Sequence, residues 1–218
     1  MAKGLFITFE GTEGCGKSTQ MELLRRQLLS LGYRVHPLRE PGGTSIGEEI
    51  RHTLKHSKNN AAMTSEAELL LMNASRAQLV REVIRPALAA GEIILCDRFY
   101  DSTTAYQGYG RQLDLKMVQS VVDMAVGETK PDLTLLLKVS PEISEQRRAA
   151  RQSTLPFIRD RIEEASQEFF ARVAKGYEAI AAVNPDRVRV VDASGPVETV
   201  CVKIWEHVQA ALPKAGRW

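Results

Sequence analysis

The stretch EGTEGCGKST, residues 10 to 19, directly follows the apolar run GLFITF and fits the phosphate-loop pattern GxxxxGK[ST], with Gly11, Gly16, Lys17 and Ser18 at its fixed positions. This is the strongest constraint in the chain, because a triphosphate must be wrapped by successive backbone N–H groups at the mouth of a helix, where the dipole favours negative charge. Glycine permits the close approach and the unusual φ angles. Lys17 is expected to reach the outer phosphates, and the Ser18 hydroxyl to ligate the magnesium that bridges them. The loop running through Gly11, Thr12, Glu13, Gly14, Cys15, Gly16, Lys17, Ser18 and Thr19 is therefore a candidate site for a magnesium nucleoside triphosphate. A chance glycine-rich turn is the competing reading. The context opposes it: GLFITF has strand composition, and STQMELLRRQLLSLG places Met21, Leu24, Leu28 and Leu31 at helical spacing before a glycine stop.

The other strands follow the same logic. EIILCD (92–97) and LTLLLKV (133–139) are uninterrupted apolar runs that suit strands covered on both faces, hence a parallel sheet. YRVHPLRE reads as a second strand, and RVRVVD (187–192) as a fifth whose alternation suits a sheet edge. Capping-box patterns, Ser45 with Glu48 and Ser65 with Glu68, open two helices, the second running through Leu69, Met72, Arg76, Leu79 and Val83. HSKNNAAMT between them reads as loop. Further helical patterns cover 112–127, 141–151, roughly 160–182 and 196–212. Alternating β and α elements with a phosphate loop after the first strand predict a three-layer α/β fold of the P-loop NTPase class, a five-stranded parallel sheet flanked by helices. Ligands in such folds collect at the carboxyl ends of the strands.

With 218 residues and no Ser/Pro-rich linker, one domain spanning 1–218 is the expectation. Cys15, Cys96 and Cys201 show no metal-ligand spacing and read as reduced thiols of a cytoplasmic protein; the N-terminus has no signal-peptide pattern, and no apolar run approaches a membrane span. Cys15, inside the phosphate loop, is either a reactive thiol or a small filler. Basic and acidic residues number 29 and 27, which points to a small anionic partner rather than nucleic acid.

Phosphate loops serve kinases, GTPase switches, motors and ligases alike, so other strand ends must decide. TKPD (129–132) and DASG (192–195) look like guanine-nucleotide motifs, but they occur in the wrong order, and TKPD leads into a strand instead of following one. The segment ILCDRFYDSTTAYQGYGRQ, 94–112, is more informative: it crowds a carboxylate, an arginine, hydroxyls, tyrosines and a glutamine after the third strand. DRFxxSxxAYQ, the loop form GxEGxGKST, REPGGT at 39–44 and the arginine in LLLMNASRAQLV together resemble the thymidylate kinase family, and the likeness runs from Gly4 to about Ala193.

That resemblance implies a nucleoside monophosphate kinase-like fold, transfer of the ATP γ-phosphoryl group to dTMP, Mg2+ as cofactor, ATP and dTMP as small-molecule partners, and a homodimer. It implies roles as well. Arg98 would hold the acceptor phosphate with help from Arg51, and Asp97 would act through the magnesium and orient Lys17, an ion pair with Arg98 being its plainer role. Arg76 would read a thymine carbonyl, with Gln107, Ser75 and Thr103 on the base side and Tyr106 excluding a ribose 2′-hydroxyl. Glu40 falls in the acceptor set through REPGGT, and Glu13 would engage the sugar 3′-hydroxyl.

Two positions depart from the family. Met72 stands where an aromatic residue often stacks on thymine, and is either a cavity wall or helix core. Lys138 replaces an acid common in the family. EQRRAARQSTLPFIRDRIE, 145–163, resembles a lid carrying arginine to the transferring group; family members hold that arginine either in the phosphate loop or in the lid, and as TEGC contains none the resemblance implies the second, bacterial-type arrangement. Arg151 is the expected catalytic arginine, with Arg147 and Arg159 as alternatives. Another nucleotide or deoxynucleoside kinase is the rival enzyme, and an NTP-binding switch the rival outside catalysis.

Overall fold

The computed structural model describes residues 4–154, 161–162 and 165–212, with side chains of 151–154 left aside. Five parallel strands form one sheet in the order β2-β3-β1-β4-β5: β1 Leu5–Glu10, β2 Val35–Arg39, β3 Ile93–Asp97, β4 Leu133–Lys138 and β5 Val188–Asp192. β1 lies at the centre, and its neighbours on either side, β3 and β4, come later in the chain. Phe9 is in register with Asp97 of β3, so the phosphate loop and the Asp97-Arg98 turn emerge side by side at the carboxyl edge of the sheet. That is the crevice where open α/β sheets bind ligands.

Alternation along β1 sends successive side chains to opposite faces. On one face Ile7 and Phe9 pack with Leu24 and Leu28 of α1 (Lys17–Ser30) and with Val200, Ile204 and Val208 of α9 (Val197–Ala211). On the other, Phe6 packs with Leu79, Val80 and Ile84, at the end of α3 (Ser65–Leu79) and in the π turn Val80–Ile84 that joins it to α4 (Arg85–Ala89). Val118 and Val122 of α6 (Leu115–Val126) complete that layer. α8 (Gln167–Val183) closes the far end through Phe169, Val173 and Tyr177 against Leu136.

Three features differ from the sequence expectations. The helix caps sit one residue earlier: Thr44 caps α2 (Ser45–Lys55) by accepting from the Gly47 N–H, and Thr64 caps α3 by accepting from the Ala67 N–H. Thr-Ser pairs offer two adjacent hydroxyls, and the first takes the extended backbone that a cap requires. Glu68 is consequently no capping residue and turns inward. Third, the polar segment after β3 is helical: α5 (Tyr100–Thr103) runs into a π turn, Thr104–Gly110, of the kind that often carries functional side chains.

Candidate active site

Gly11 has φ +134°, and a Cβ there would lie 2.4 Å from the Leu137 carbonyl oxygen, so only glycine lets the loop leave β1 against β4. Gly16 caps α1 in the left-handed region, φ +96°, which turns the loop N–H groups inward. Lys17 is 6% exposed, and its Nζ donates to the carbonyls of Gly11 (3.1 Å) and Thr12 (3.0 Å). Its amine is thereby folded over the loop it serves, while the Ser18 hydroxyl donates to Asp97 Oδ2 at 2.9 Å. Cys15 is 1% exposed within the core, with its Sγ 3.7 Å from Lys17 Nζ. The first turns of α7 (Pro141–Thr154) brace the loop, Ser144 Oγ donating to the Glu13 carbonyl at 2.6 Å.

Beside the loop lies a cavity open to solvent, with about 520 Å³ of empty space counted to its mouth. Glu13, Glu40, Met72, Arg76, Arg98, Thr103, Tyr106 and Gln107 all line it, so eight of the acceptor-side expectations converge on one space. Met72 is thus cavity wall rather than helix core. Two expectations sit elsewhere. Ser75 is fully buried behind the wall, its hydroxyl accepting from the Gly42 N–H at 3.0 Å, and Arg51 donates to the Pro41 carbonyl at 2.9 Å without lining the cavity. Lys55 and Ile162 line it without having been singled out in the sequence, as do Pro41 and Ser102, which REPGGT and DRFxxSxxAYQ contain but to which no role was given.

Arg98 is the hub. Its backbone adopts φ 71°, in the left-handed region that a side chain normally avoids, and the turn is held by its N–H donating to the Phe9 carbonyl at 3.0 Å. The guanidinium donates to Glu13 Oε1 (2.6 Å), Ser102 Oγ (3.0 Å), Tyr177 Oη (3.1 Å) and Tyr106 Oη (3.2 Å), and lies 5.0 Å from the Tyr106 ring centre. Its ion partner is Glu13, and the alternative pairing with Asp97 is not what forms. Burial works to raise the Glu13 carboxyl, but the Arg98 and Lys17 charges outweigh it and hold the group well below the usual range.

Beneath Arg98 is Glu10, a residue that sequence reading passed over. Its carboxylate accepts from the Phe99 N–H (2.8 Å), the Ser102 N–H (3.3 Å), Ser102 Oγ (2.6 Å) and Tyr177 Oη (2.9 Å). Burial, and then the Asp101 charge, raise its pKa. The available signal was a carboxylate ending an otherwise apolar strand.

Arg76, 2% exposed, has every guanidinium nitrogen engaged: Nε with Glu40 Oε2 (2.8 Å), Nη1 with Asn73 Oδ1 (2.8 Å) and Thr103 Oγ1 (2.9 Å), and Nη2 with Glu40 Oε2 (2.7 Å) and the Phe99 carbonyl (3.3 Å). Glu40 Oε1 is buried and has no hydrogen-bond partner. Burial pushes the Glu40 carboxyl up to about 7 against the pull of Arg76. A raised carboxyl favours the protonated fold, so its stabilising contribution is complete below the ordinary value of 4.5 and is lost as pH rises to about 7. Thermal midpoints measured across that window are expected to fall with rising pH more steeply for the native chain than for Glu40→Gln; parallel curves would refute the assignment.

Of the lid arginines, Arg147 donates to the Ala193 carbonyl at 3.0 Å, Arg148 pairs with Glu145, and Arg161 pairs with Glu68. The Arg151 side chain and Arg159 lie outside the described residues. Lys138 pairs with Glu178 at 2.8 Å on the surface. No helix among the described residues is long and apolar enough to cross a membrane.

Comparison with known proteins agrees with this geometry. A family model described as thymidylate kinase matches residues 9–204. A thymidylate kinase of Geobacter sp. (strain M21) is 45% identical over 98% of this chain and 95% of its own, and one of Prosthecochloris aestuarii is 46% identical over 94% and 93%. The crystal structure of thymidylate kinase from Ehrlichia chaffeensis superposes with a TM-score of 0.76 at 31% identity, covering 95% of this chain and all of that one.

Proposed function

The chain belongs to the thymidylate kinase family, and on that premise we propose that it transfers the γ-phosphoryl group of ATP to dTMP, giving dTDP and ADP, with the work divided among the residues as follows. The observation that carries this reading is the adjacency of a phosphate loop and an acceptor cavity that share one residue, Glu13.

Phosphoryl transfer asks for alignment and positive charge more than for covalent chemistry. On the donor side Lys17 exchanges its two carbonyl partners for the β- and γ-phosphate oxygens. Ser18 Oγ and Asp97 Oδ2, 2.9 Å apart, are hard oxygen donors that suit Mg2+, an ion that binds through one or two protein oxygens plus substrate phosphates and water. When bound, Mg2+ neutralises charge on the phosphates being separated. On the acceptor side Arg98 turns its fork to the dTMP phosphate, and Glu13, relieved of that partner, accepts from the sugar 3′-hydroxyl. Tyr106 fills the space beside the sugar. Arg76, Gln107, Thr103 and Met72 bound the base, while Ser75 and Arg51 support the wall. Arg151 supplies the lid charge, with Arg147 and Arg159 the alternatives.

We propose also one domain with residues 145–163 as its lid, a cytoplasmic setting, and association through Leu70, Met117 and Met124, apolar side chains exposed on α3 and α6. A light-scattering mass of two chains is the expected result. For the reaction, dTMP, dUMP, CMP and thymidine are compared as acceptors with ATP. Acceptor-dependent ADP release should be fastest with dTMP; preference for CMP or thymidine would select the rival kinase, and release with none of them the switch.

A further inference from the structure

Glu68 is fully buried, yet it serves no helix cap. Its Oε1 accepts from Gln107 Nε2 at 2.7 Å, inside the wall of the acceptor cavity. Arg111 donates to it through Nε (3.3 Å) and Nη2 (3.1 Å), and Arg161, near the end of the lid segment, pairs with the same carboxylate. Both guanidiniums are donors only, so the Glu68 carboxyl oxygens serve as acceptors, and the Gln107 group that faces them is likewise a donor. Of the two ends of the Gln107 amide, only the NH2 satisfies that condition. With the nitrogen held by Glu68, the carbonyl oxygen, Oε1, is the end of the amide that does not face the carboxylate.

We propose that Glu68 is a positioning residue that sets base specificity by locking the Gln107 amide with its oxygen toward the base, so that the site accepts a pyrimidine whose ring N3 carries hydrogen and disfavours one whose N3 is a bare acceptor. Thymine and uracil have the N3–H donor. Cytosine presents a lone pair there, which meets the Gln107 oxygen acceptor to acceptor. A site with a fixed hydrogen-bonding polarity rejects a mismatched partner far more strongly than an apolar wall does, because the buried group is left unpaired. The inference rests on the thymidylate kinase reading but concerns a residue that need not touch substrate.

The test is Glu68→Gln. The new amide can donate or accept, so Gln107 is released to present either end. Equilibrium dissociation constants for dTMP, dUMP and dCMP are measured on both proteins. The preference for dTMP over dCMP should fall by about tenfold or more, while the dTMP to dUMP ratio, whose members share the N3–H, stays unchanged. A merely structural role for Glu68 would weaken all three ligands together, and that result, or an unchanged dTMP to dCMP ratio, overturns the proposal. Absence of dTMP-dependent ADP release from the native enzyme would instead overturn the thymidylate kinase reading. Should Glu68→Gln fail to fold, the side-chain amide signal of Gln107 in the 15N-labelled native protein, identified by its loss in Gln107→Leu, replaces it. The signal should stay nearly unmoved when dTMP binds; a shift of the size of a new hydrogen bond would mean that the NH2 faces the base and would overturn the proposal.

Discussion

Arg98→Ala should lower kcat/KM for dTMP by about three orders of magnitude while leaving the KM for ATP nearly unchanged. Removing one positioned donor from a developing phosphoryl charge commonly costs about 10²–10³-fold, and a guanidinium fork supplies two donors together with a full charge in a site that excludes water. Arg98→Lys should recover a small part of the loss, because an ammonium keeps the charge but cannot span two oxygens. The backbone provides an internal control. At φ 71° alanine is strained and glycine is not, so Arg98→Gly should be more stable than Arg98→Ala by about 1 kcal/mol and equally inactive. Steady-state kinetics beside urea melts measures both quantities. Substantial turnover in either variant would remove Arg98 from the acceptor site.

The second large effect is on stability. Glu10→Ala would leave the buried Phe99 N–H without its acceptor and would take from the Ser102 and Tyr177 hydroxyls the carboxylate they both donate to, leaving them only each other. Breaking a buried charged network by removing one member costs about 3–5 kcal/mol. For a chain of this size that is roughly a 10 °C fall in Tm. Glu10→Gln, of equal shape, should lose less, since one amide oxygen still accepts. The Ala variant should also lose dTMP turnover at temperatures where it remains folded, because Ser102 and Tyr177 are the groups that aim Arg98. A melting point within a degree or two of the native one would mean that water replaces the carboxylate.

The regular elements were readable because each carries a local signature: apolar runs for β3 and β4, helical spacing in α1, the glycine pattern of the phosphate loop. The segment 100–110 escaped because it is polar and aromatic, lacks helical spacing and carries two glycines; packing of its π turn against α8 overrides local propensity. The caps at Thr44 and Thr64 were missed by one residue because tandem hydroxyls make the pattern ambiguous, and in the second case the ambiguity hid Glu68 altogether. Most residues that line the cavity beside the phosphate loop were legible through motif resemblance. What sequence did not reveal was their wiring: Glu10 and Tyr177 are 167 residues apart yet share a hydrogen bond.

The pairing of Arg98 with Glu13 has a bearing on what the enzyme refuses. Glu13 is a tethered anion already seated on the guanidinium, and tethering of that kind corresponds to a local concentration of about millimolar or higher. Free inorganic phosphate must evict this resident and offers it nothing in return. On the roles proposed above, a nucleotide instead arrives with a sugar hydroxyl that gives the displaced carboxylate somewhere to go. Vacancy and occupancy are on that reading two arrangements of the same charges, and inorganic phosphate is a poor competitor for the seat.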